Sequence, residues 1–258
     1  MVKGLIIDLD GVLTKDKALT PFEDAPEFIN YLRNKNIKFK IATNNTLYSP
    51  NQLVDKLREE RIDVSFDNVI TPLYVAPEYL KRKNIKDIYV IGSENLIKFF
   101  KESFNVRNNP DVEAVIIGQD KNFSFEKMKI ATTAVKENDA HILALNANLI
   151  TKDDDGLVFP GVGSVAQMFS YATKRQWVHF GKNSDEYNNQ LLKYFKDINM
   201  EDLAIISDDI FTDLIPFSKI GIKTIFITTG KYKEKDIPQD FKPDYIVYSL
   251  KQLKGALN

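Results

Sequence analysis

The chain has no cysteine and only two histidines among its 258 residues. The first absence excludes disulfides, a thiolate nucleophile and cysteine-based zinc or iron–sulfur sites; the second leaves too little imidazole for a histidine-rich metal centre. Any metal must therefore be held through oxygen. An excess of charge is lacking too, since 35 Lys and Arg stand against 36 Asp and Glu, for a formal net charge of -1. Such balance gives no broad electrostatic footprint for nucleic acid or an anionic membrane, so a phosphate partner has to be gripped locally. No apolar run approaches the ~18 residues of a membrane span. The apolar run Leu5-Ile6-Ile7 that follows Met1 gives way to acids too soon for a secretion signal. The expectation is a cytoplasmic protein without nucleic-acid or membrane partners. Patterning marks no oligomer interface and leaves a homo-oligomer open.

What is present is the composition of an ordinary globular protein: 43% hydrophobic residues, with 11 Gly and 10 Pro spread along the chain. Short apolar runs bounded by turn residues alternate with longer segments of helical period, the pattern of parallel βα units, so the expected class is α/β. Strands are expected at 4–9, 37–43, 88–91, 114–117, 142–145, 177–180, 203–207, 224–227 and 245–247. Their richness in Ile, Val and Leu fits strands covered on both faces. Crossover helices are expected at 26–34, 49–60, 95–104, 125–137, 165–173, 186–195 and 211–220. Acidic and polar stretches at 108–111 and 152–156 read as surface turns. His141, His179 and Trp177 fall in or beside strand runs and read as core or edge residues.

Four clusters carry chemistry, and each ends an expected strand. Asp8-Leu9-Asp10-Gly11 puts two carboxylates at the carboxyl end of the first strand, where ligands of open α/β sheets gather. Residues two apart on a strand point the same way. Paired acids there can hold a hard cation such as Mg²⁺, and one can attack phosphorus while the other handles a proton; a plain acidic turn is the competing account. Thr43-Asn44-Asn45-Thr46 offers hydroxyl, amide and backbone N–H groups to a phosphate, or caps the next helix. Lys182 opens a loop after a buried strand, where an ammonium can meet a phosphoryl group or merely face solvent. Ser207-Asp208-Asp209, with Asp213 about one turn on, supplies further oxygen ligands or a helix cap.

The order of these motifs resembles the haloacid dehalogenase (HAD) superfamily of phosphatases, and more narrowly its NagD-like, 4-nitrophenylphosphatase-like branch. Asp8-Leu9-Asp10-Gly11-Val12 matches DxDGV, Thr43-Asn44-Asn45 matches TNN, Gly181-Lys182 matches GK, and Asp208 with Asp213 matches the spacing of GDxxxxD. Pro160-Gly161-Val162-Gly163-Ser164 is similar to the branch's PGxGS segment. The resemblance implies that Asp8 is a nucleophile forming an aspartyl-phosphate and Asp10 the acid and base. It implies phosphoryl binding by Thr43, Asn44 and Lys182, and Mg²⁺ on Asp8, the Asp10 carbonyl and Asp208, supported by Asp213 and Asp209. The implied architecture is a Rossmann-like core of residues 1–71 and 164–258, with an α/β cap inserted at 72–163. The implied activity is hydrolysis of a small phosphorylated metabolite.

The chain departs from the branch in places. Ser207 stands where Gly is usual, Asn183 where Pro is usual, and Asn146-Ala147-Asn148 where many relatives carry Asn-Pro-Asp facing the substrate. Asn146 and Asn148 are therefore specificity candidates, against turn formation as the plainer account. Two other classes compete with an enzyme: a phospho-acceptor signalling domain, which the length and insertion oppose, and a binding protein on the same fold, which retention of Asp8, Asp10, Lys182 and Asp208 opposes. Transfer to an alcohol rather than water stays open, because both acceptors use the same acid–base pair.

Overall fold

Runs of Ile, Val and Leu too short for helices become strands once both of their faces can be covered; the described residues form thirteen strands in all. In chain order they are β1 (Gly4–Asp8), β2 (Lys38–Ala42), β3 (Val69–Ile70), β4 (Asp87–Ile91), β5 (Asn105–Val106), β6 (Ala114–Ile117), β7 (His141–Ala144), β8 (Ile150–Lys152), β9 (Val158–Pro160), β10 (Trp177–His179), β11 (Leu203–Ser207), β12 (Lys223–Ile227) and β13 (Tyr245–Val247). The helices are α1 (Ala25–Asn34), α2 (Pro50–Glu59), α3 (Pro72–Arg82), α4 (Glu94–Lys101), α5 (Phe125–Glu137), α6 (Val162–Thr173), α7 (Asp185–Tyr194), α8 (Ile215–Lys219) and α9 (Leu250–Ala256), with a π-helical turn at Ile210–Leu214 leading into α8. The structure, a computed structural model, describes residues 2–153 and 155–256. Met1, Asp154 of the expected acidic turn, and residues 257–258 of the expected core lie outside the described residues. No helix among them is long and apolar enough to cross a membrane.

The chain divides into two units. The first comprises residues 1–43, 50–70 and 188–258. Its six-stranded sheet has the order β13-β12-β11-β1-β2-β3, and every pairing is parallel. All five residues of β1 and all five of β11 are buried, as expected of central strands in a doubly covered sheet. Gly4 is matched to Leu203 across this pair, and a Cβ on it would press on the Leu203 and Phe195 side chains.

The second unit comprises residues 44–49 and 71–187. It holds a five-stranded parallel sheet, β10-β7-β6-β4-β5, and the antiparallel hairpin β8–β9. Its core gathers Tyr89, Ile91, Ile117, Ala131, Ile142 and Phe169 from strands and helices alike. The α/β class expected from the sequence is thus borne out, with two parallel sheets.

Several elements differ from expectation. The inserted segment was expected to end at 163, whereas α6 and β10 belong to the second unit. The reason is pairing: β10 takes the edge beside β7, Trp177 opposite Ile142, and Phe169 of α6 is buried in that unit's core. Helix α3 escapes a reading by breakers because it contains Pro77. An interior proline costs a helix about 3 kcal/mol; here Leu73, Val75, Ala76, Tyr79 and Leu80 are buried, and the Thr71 hydroxyl caps the start by accepting the Leu73 N–H. The β8–β9 hairpin departs from expectation because its apolar Ile150, Leu157 and Val158 are 67–71% exposed rather than buried as a strand core.

Lys40 on β2 is buried, its ammonium donating to the Asp67 carbonyl at 2.8 Å and lying 4.7 Å from the centre of the Tyr194 ring. Burial pushes its pKa down to about 8, with Asp67 opposing the shift. A base whose pKa falls on folding binds fewer protons than in the unfolded chain between about pH 8 and 10.5, so its charge costs stability below pH 8 and that cost fades as pH rises. Urea unfolding of the wild type and Lys40→Met should show the wild type gaining on the variant as pH goes from 7 to 10. The relative gain should be up to about 3 kcal/mol; a constant difference across that range would refute the assignment.

Candidate active site

Parallel pairing of β1 with β11, Ile7 opposite Ile206, brings the carboxyl ends of the two strands together. Asp8 ends β1 and is 6% exposed; Ser207 ends β11 and is fully buried, followed by Asp208 at 5%. Asp213 comes back from the π-helical turn, also fully buried. The Ser207 hydroxyl oxygen lies 2.6 Å from Asp213 Oδ2 and 3.1 Å from Asp8 Oδ2, while accepting the Asp209 N–H at 3.0 Å. One hydroxyl has one proton to give, and the shorter distance assigns it to Asp213. The Ser207 that departs from the branch's Gly is therefore a hub between two buried carboxylates.

Beyond β1 the chain turns sharply, with the N–H groups of Leu13 and Thr14 both donating to the Leu9 carbonyl. Asp8 Oδ1 accepts the Leu9 N–H at 2.8 Å, which fixes the carboxylate at the strand end. Asp10 lies in this turn and is exposed. Gly11 has φ +80, and a Cβ on it would run into the Asp208 carboxylate. Only glycine meets both demands easily.

Asp208 is held from the other side by a segment that sequence reasoning missed, Thr229-Gly230-Lys231 after β12. The Lys231 N–H donates to Asp208 Oδ2 at 2.5 Å, and the Thr229 hydroxyl donates to the Gly11 carbonyl at 2.5 Å. A Cβ on Gly230 would fall inside the Asp208 carboxylate. A Thr-Thr-Gly run closing an apolar strand was the available signal.

Asp209 does not join the carboxylate group but caps the π-helical turn, accepting the N–H groups of Phe211 at 3.1 Å and Thr212 at 2.9 Å. Burial pushes its carboxyl up, yet the Thr212 N–H and the Lys231 ammonium, 3.0 Å away, outweigh burial and hold it below the ordinary carboxylate range. The capping account is thus the right one for this acid.

The remaining expected residues are divided between the units. Thr43, fully buried, belongs to the first and donates its N–H to the Ile70 carbonyl at 3.2 Å. Asn44 belongs to the second, where its Oδ1 accepts the Lys182 N–H at 2.8 Å and ties the second motif to the third. Lys182 is 9% exposed, not a surface lysine. Gly181 allows this approach, for a Cβ there would stand 2.7 Å from Asn44 Oδ1 and 3.0 Å from the Asn146 Cβ. Asn183, which takes the place of the branch's Pro, has φ +70, an angle that a proline ring forbids. Asn146 is buried beside Gly181, whereas Asn148 is exposed and gives its N–H to Asn146 Oδ1 at 3.1 Å. Asn146 is thus brought to the Asn44–Lys182 cluster, and Asn148 closes a turn.

Among the described residues no three or more His, Cys, Asp or Glu side chains are grouped as a metal cage. Two near-buried carboxylates, Asp8 and Asp208, at adjacent strand ends nevertheless make an all-oxygen donor set. That set suits Mg²⁺, which typically takes one or two carboxylates and completes its octahedron with waters and substrate oxygens.

Residues 5–103 match the haloacid dehalogenase-like hydrolase family, and residues 167–253 match the HAD-hydrolase-like family. An acid sugar phosphatase of Staphylococcus epidermidis is 30% identical over 257 residues, 99% of this chain and 96% of its own length. Among solved structures, p-nitrophenyl phosphatase from Archaeoglobus fulgidus aligns with a TM-score of 0.86 at 26% identity, covering 99% of each chain. NagD from E. coli K-12 has the same fold, with a TM-score of 0.81 at 23% identity over 97% of each chain. The chain belongs to the haloacid dehalogenase-like hydrolases, in the branch of NagD and the p-nitrophenyl phosphatases. It is an enzyme, a phosphatase of that family.

Two substitutions test this geometry. Ser207→Ala leaves two buried carboxylates without the hydroxyl between them and should lower unfolding free energy by on the order of 1–3 kcal/mol in urea titrations at pH 7. Gly230→Ala pushes on Asp208 and should reduce 4-nitrophenyl phosphate turnover by up to about 10²-fold, the scale of a ~1 Å misplacement, with its circular dichroism unchanged. Wild-type turnover by Gly230→Ala would rule out the tight placement of Asp208.

Proposed function

We propose that the protein is a cytoplasmic, Mg²⁺-dependent phosphomonoesterase that hydrolyses a small phosphorylated metabolite through an aspartyl-phosphate. The observation that carries this reading is the buried Asp8 carboxylate at the end of β1, held by the Leu9 N–H, with Asp208 directly after the end of the neighbouring strand. Relatives named acid sugar phosphatase and p-nitrophenyl phosphatase support the phosphoester class.

In this reading Asp8 attacks phosphorus as the ester P–O bond breaks, and Asp10 gives its proton to the departing alkoxide. Asp10, now a carboxylate, takes a proton from water as that water attacks the phosphoryl group. The Asp8–phosphorus linkage then breaks, releasing inorganic phosphate and restoring Asp8. Thr43, Asn44 and Lys182 hold the phosphoryl oxygens, Lys182 supplying a positive charge where negative charge is concentrated. Mg²⁺, held by Asp8, the Asp10 carbonyl and Asp208, would add a second positive charge at the phosphoryl group when bound. Asp213 acts through Ser207, steadying the nucleophile's surroundings. The inserted residues 72–163 serve as the cap domain, in which leaving-group specificity is encoded.

Wild type should release 4-nitrophenol from 4-nitrophenyl phosphate with Mg²⁺ and stop with EDTA. Asp8→Asn should lose at least about 10³-fold in kcat, the scale of removing a nucleophile. Asp10→Asn should still form the phosphoenzyme from an activated ester, while turning it over about 10²-fold more slowly. Acid-quenched wild type should carry phosphate on Asp8 by mass spectrometry; undiminished turnover by well-folded Asp8→Asn would remove the nucleophile from the mechanism.

A further inference from the structure

A cavity of about 410 Å³ lies wholly within the first unit, where the turn after β1 meets the segments that follow β12 and β13. The carboxyl ends of strands are where open α/β sheets place their ligand crevices. Its volume falls within the range of small-molecule sites, about 300–1,000 Å³. Val12 and Thr229 form part of one wall. Val12 directly follows Gly11 and Thr229 directly precedes Gly230, the two glycines that press on the Asp208 carboxylate, and the Thr229 hydroxyl donates to the Gly11 carbonyl. Asp8, Asp10 and Asp208 do not line the cavity. It therefore lies behind the clamp on Asp208, next to the reacting groups without containing them.

We propose that this cavity binds a free amino acid with an aromatic side chain, which acts as an activating effector of the phosphatase by holding the clamp on Asp208 in place. Lys15 and Lys251 bring two ammonium groups to the wall, and Glu23 and Asp24 bring two carboxylates. Such a wall is balanced in charge and suits a ligand that carries both signs better than a plain anion or cation. Among the described residues the two ammonium groups and the Glu23 carboxylate are in no ion pair. Asp24 is already committed, for its Oδ2 accepts the Lys251 N–H at 2.9 Å and so joins the segment after β1 to the one after β13. Exposed ion pairs are worth little one at a time, so apolar contact has to supply most of the affinity. Val12, Ile227 and Leu250 offer buried aliphatic surface, and the rings of Phe22 and Tyr248 offer aromatic surface. These groups are set before any ligand arrives. The Lys15 N–H donates to the Thr20 carbonyl at 2.8 Å, the Phe22 N–H to the Leu13 carbonyl at 3.0 Å, and the Tyr248 hydroxyl to Glu234 at 2.7 Å. An occupant packed on Val12 and Thr229 fits the clamp as it stands and loses those contacts when the turn after β1 swings away. A ligand shifts a population by just such a difference in affinity.

Isothermal titration calorimetry on the whole chain tests this with L-phenylalanine, and with phenylacetate, phenethylamine and glycine as probes that lack in turn the ammonium, the carboxylate and the ring. Wild type should bind L-phenylalanine with a Kd of about 1 mM or lower, and each lesser probe at least tenfold more weakly. Lys15→Gln and Glu23→Gln, both at exposed positions, should each weaken L-phenylalanine fivefold or more. Without effector, both variants should turn over 4-nitrophenyl phosphate within twofold of wild type. L-phenylalanine at tenfold its Kd should raise the wild-type kcat/KM for this ester at least twofold. No binding by wild type, a lesser probe that binds as tightly as L-phenylalanine, or folded variants that bind it unchanged overturns the site. Binding that leaves turnover unchanged or lowers it overturns the activating role. Calorimetry needs no catalysis, so failure of the aspartyl-phosphate reading would show separately, as absent turnover with binding intact.

Discussion

The first unit is organised around a costly arrangement, two buried carboxylates, Asp8 at the end of β1 and Asp213 in the π-helical turn, on either side of the one serine hydroxyl that ends β11. Like charges in a low-dielectric interior are tolerated only when donors or cations compensate them. Here the compensation is local and specific: the Ser207 hydroxyl, the Leu9 N–H on Asp8 and the Lys231 N–H on Asp208. Each donor is fixed by a strand end or a tight turn, so the acids are held in place before any ligand arrives. Pre-organisation of this kind, rather than the acids alone, is what a phosphoryl-transfer site requires.

The second unit repeats the same parallel construction. Its sheet is again parallel, and the segments after β4, β6 and β7 gather at one end. Those segments bear glutamine, asparagine and apolar groups, with the acid among them neutralised by lysine. Strand-end geometry is thus used once to concentrate charge and once to form a chamber of mainly apolar walls. Among the described residues the exposed β8–β9 hairpin forms a two-stranded sheet of its own. A two-stranded hairpin has little stability of its own, and this one is tied down by the Gly161 N–H and the Ser164 hydroxyl, both donating to the Leu149 carbonyl.

Much of this was legible in the sequence. The apolar runs at Leu5–Ile7 and Leu203–Ile206 are unambiguous strands, and acids directly after them in two places mark one end of one sheet. The helical periods at 125–137 and 26–34 were equally plain. Less legible was anything in which tertiary burial overrides a local breaker, as in α3 with Pro77, or in which an element is apolar yet exposed, as in the β8–β9 hairpin. Sequence also placed Asp209 among the supporting acids, although capping the π-helical turn is its task.

By itself the sequence determined the α/β class and the acids, amide and lysine that end its strands, because hydrophobic period and side-chain chemistry are local properties. Only the tertiary structure decided that Ser207 joins Asp8 to Asp213, that residues 229–231 clamp Asp208, and that α6 and β10 join the second unit. Each of these depends on strand order and register. Two residues 199 apart in sequence, Asp8 and Ser207, are neighbours because β1 lies between β11 and β2, and no local pattern encodes that adjacency.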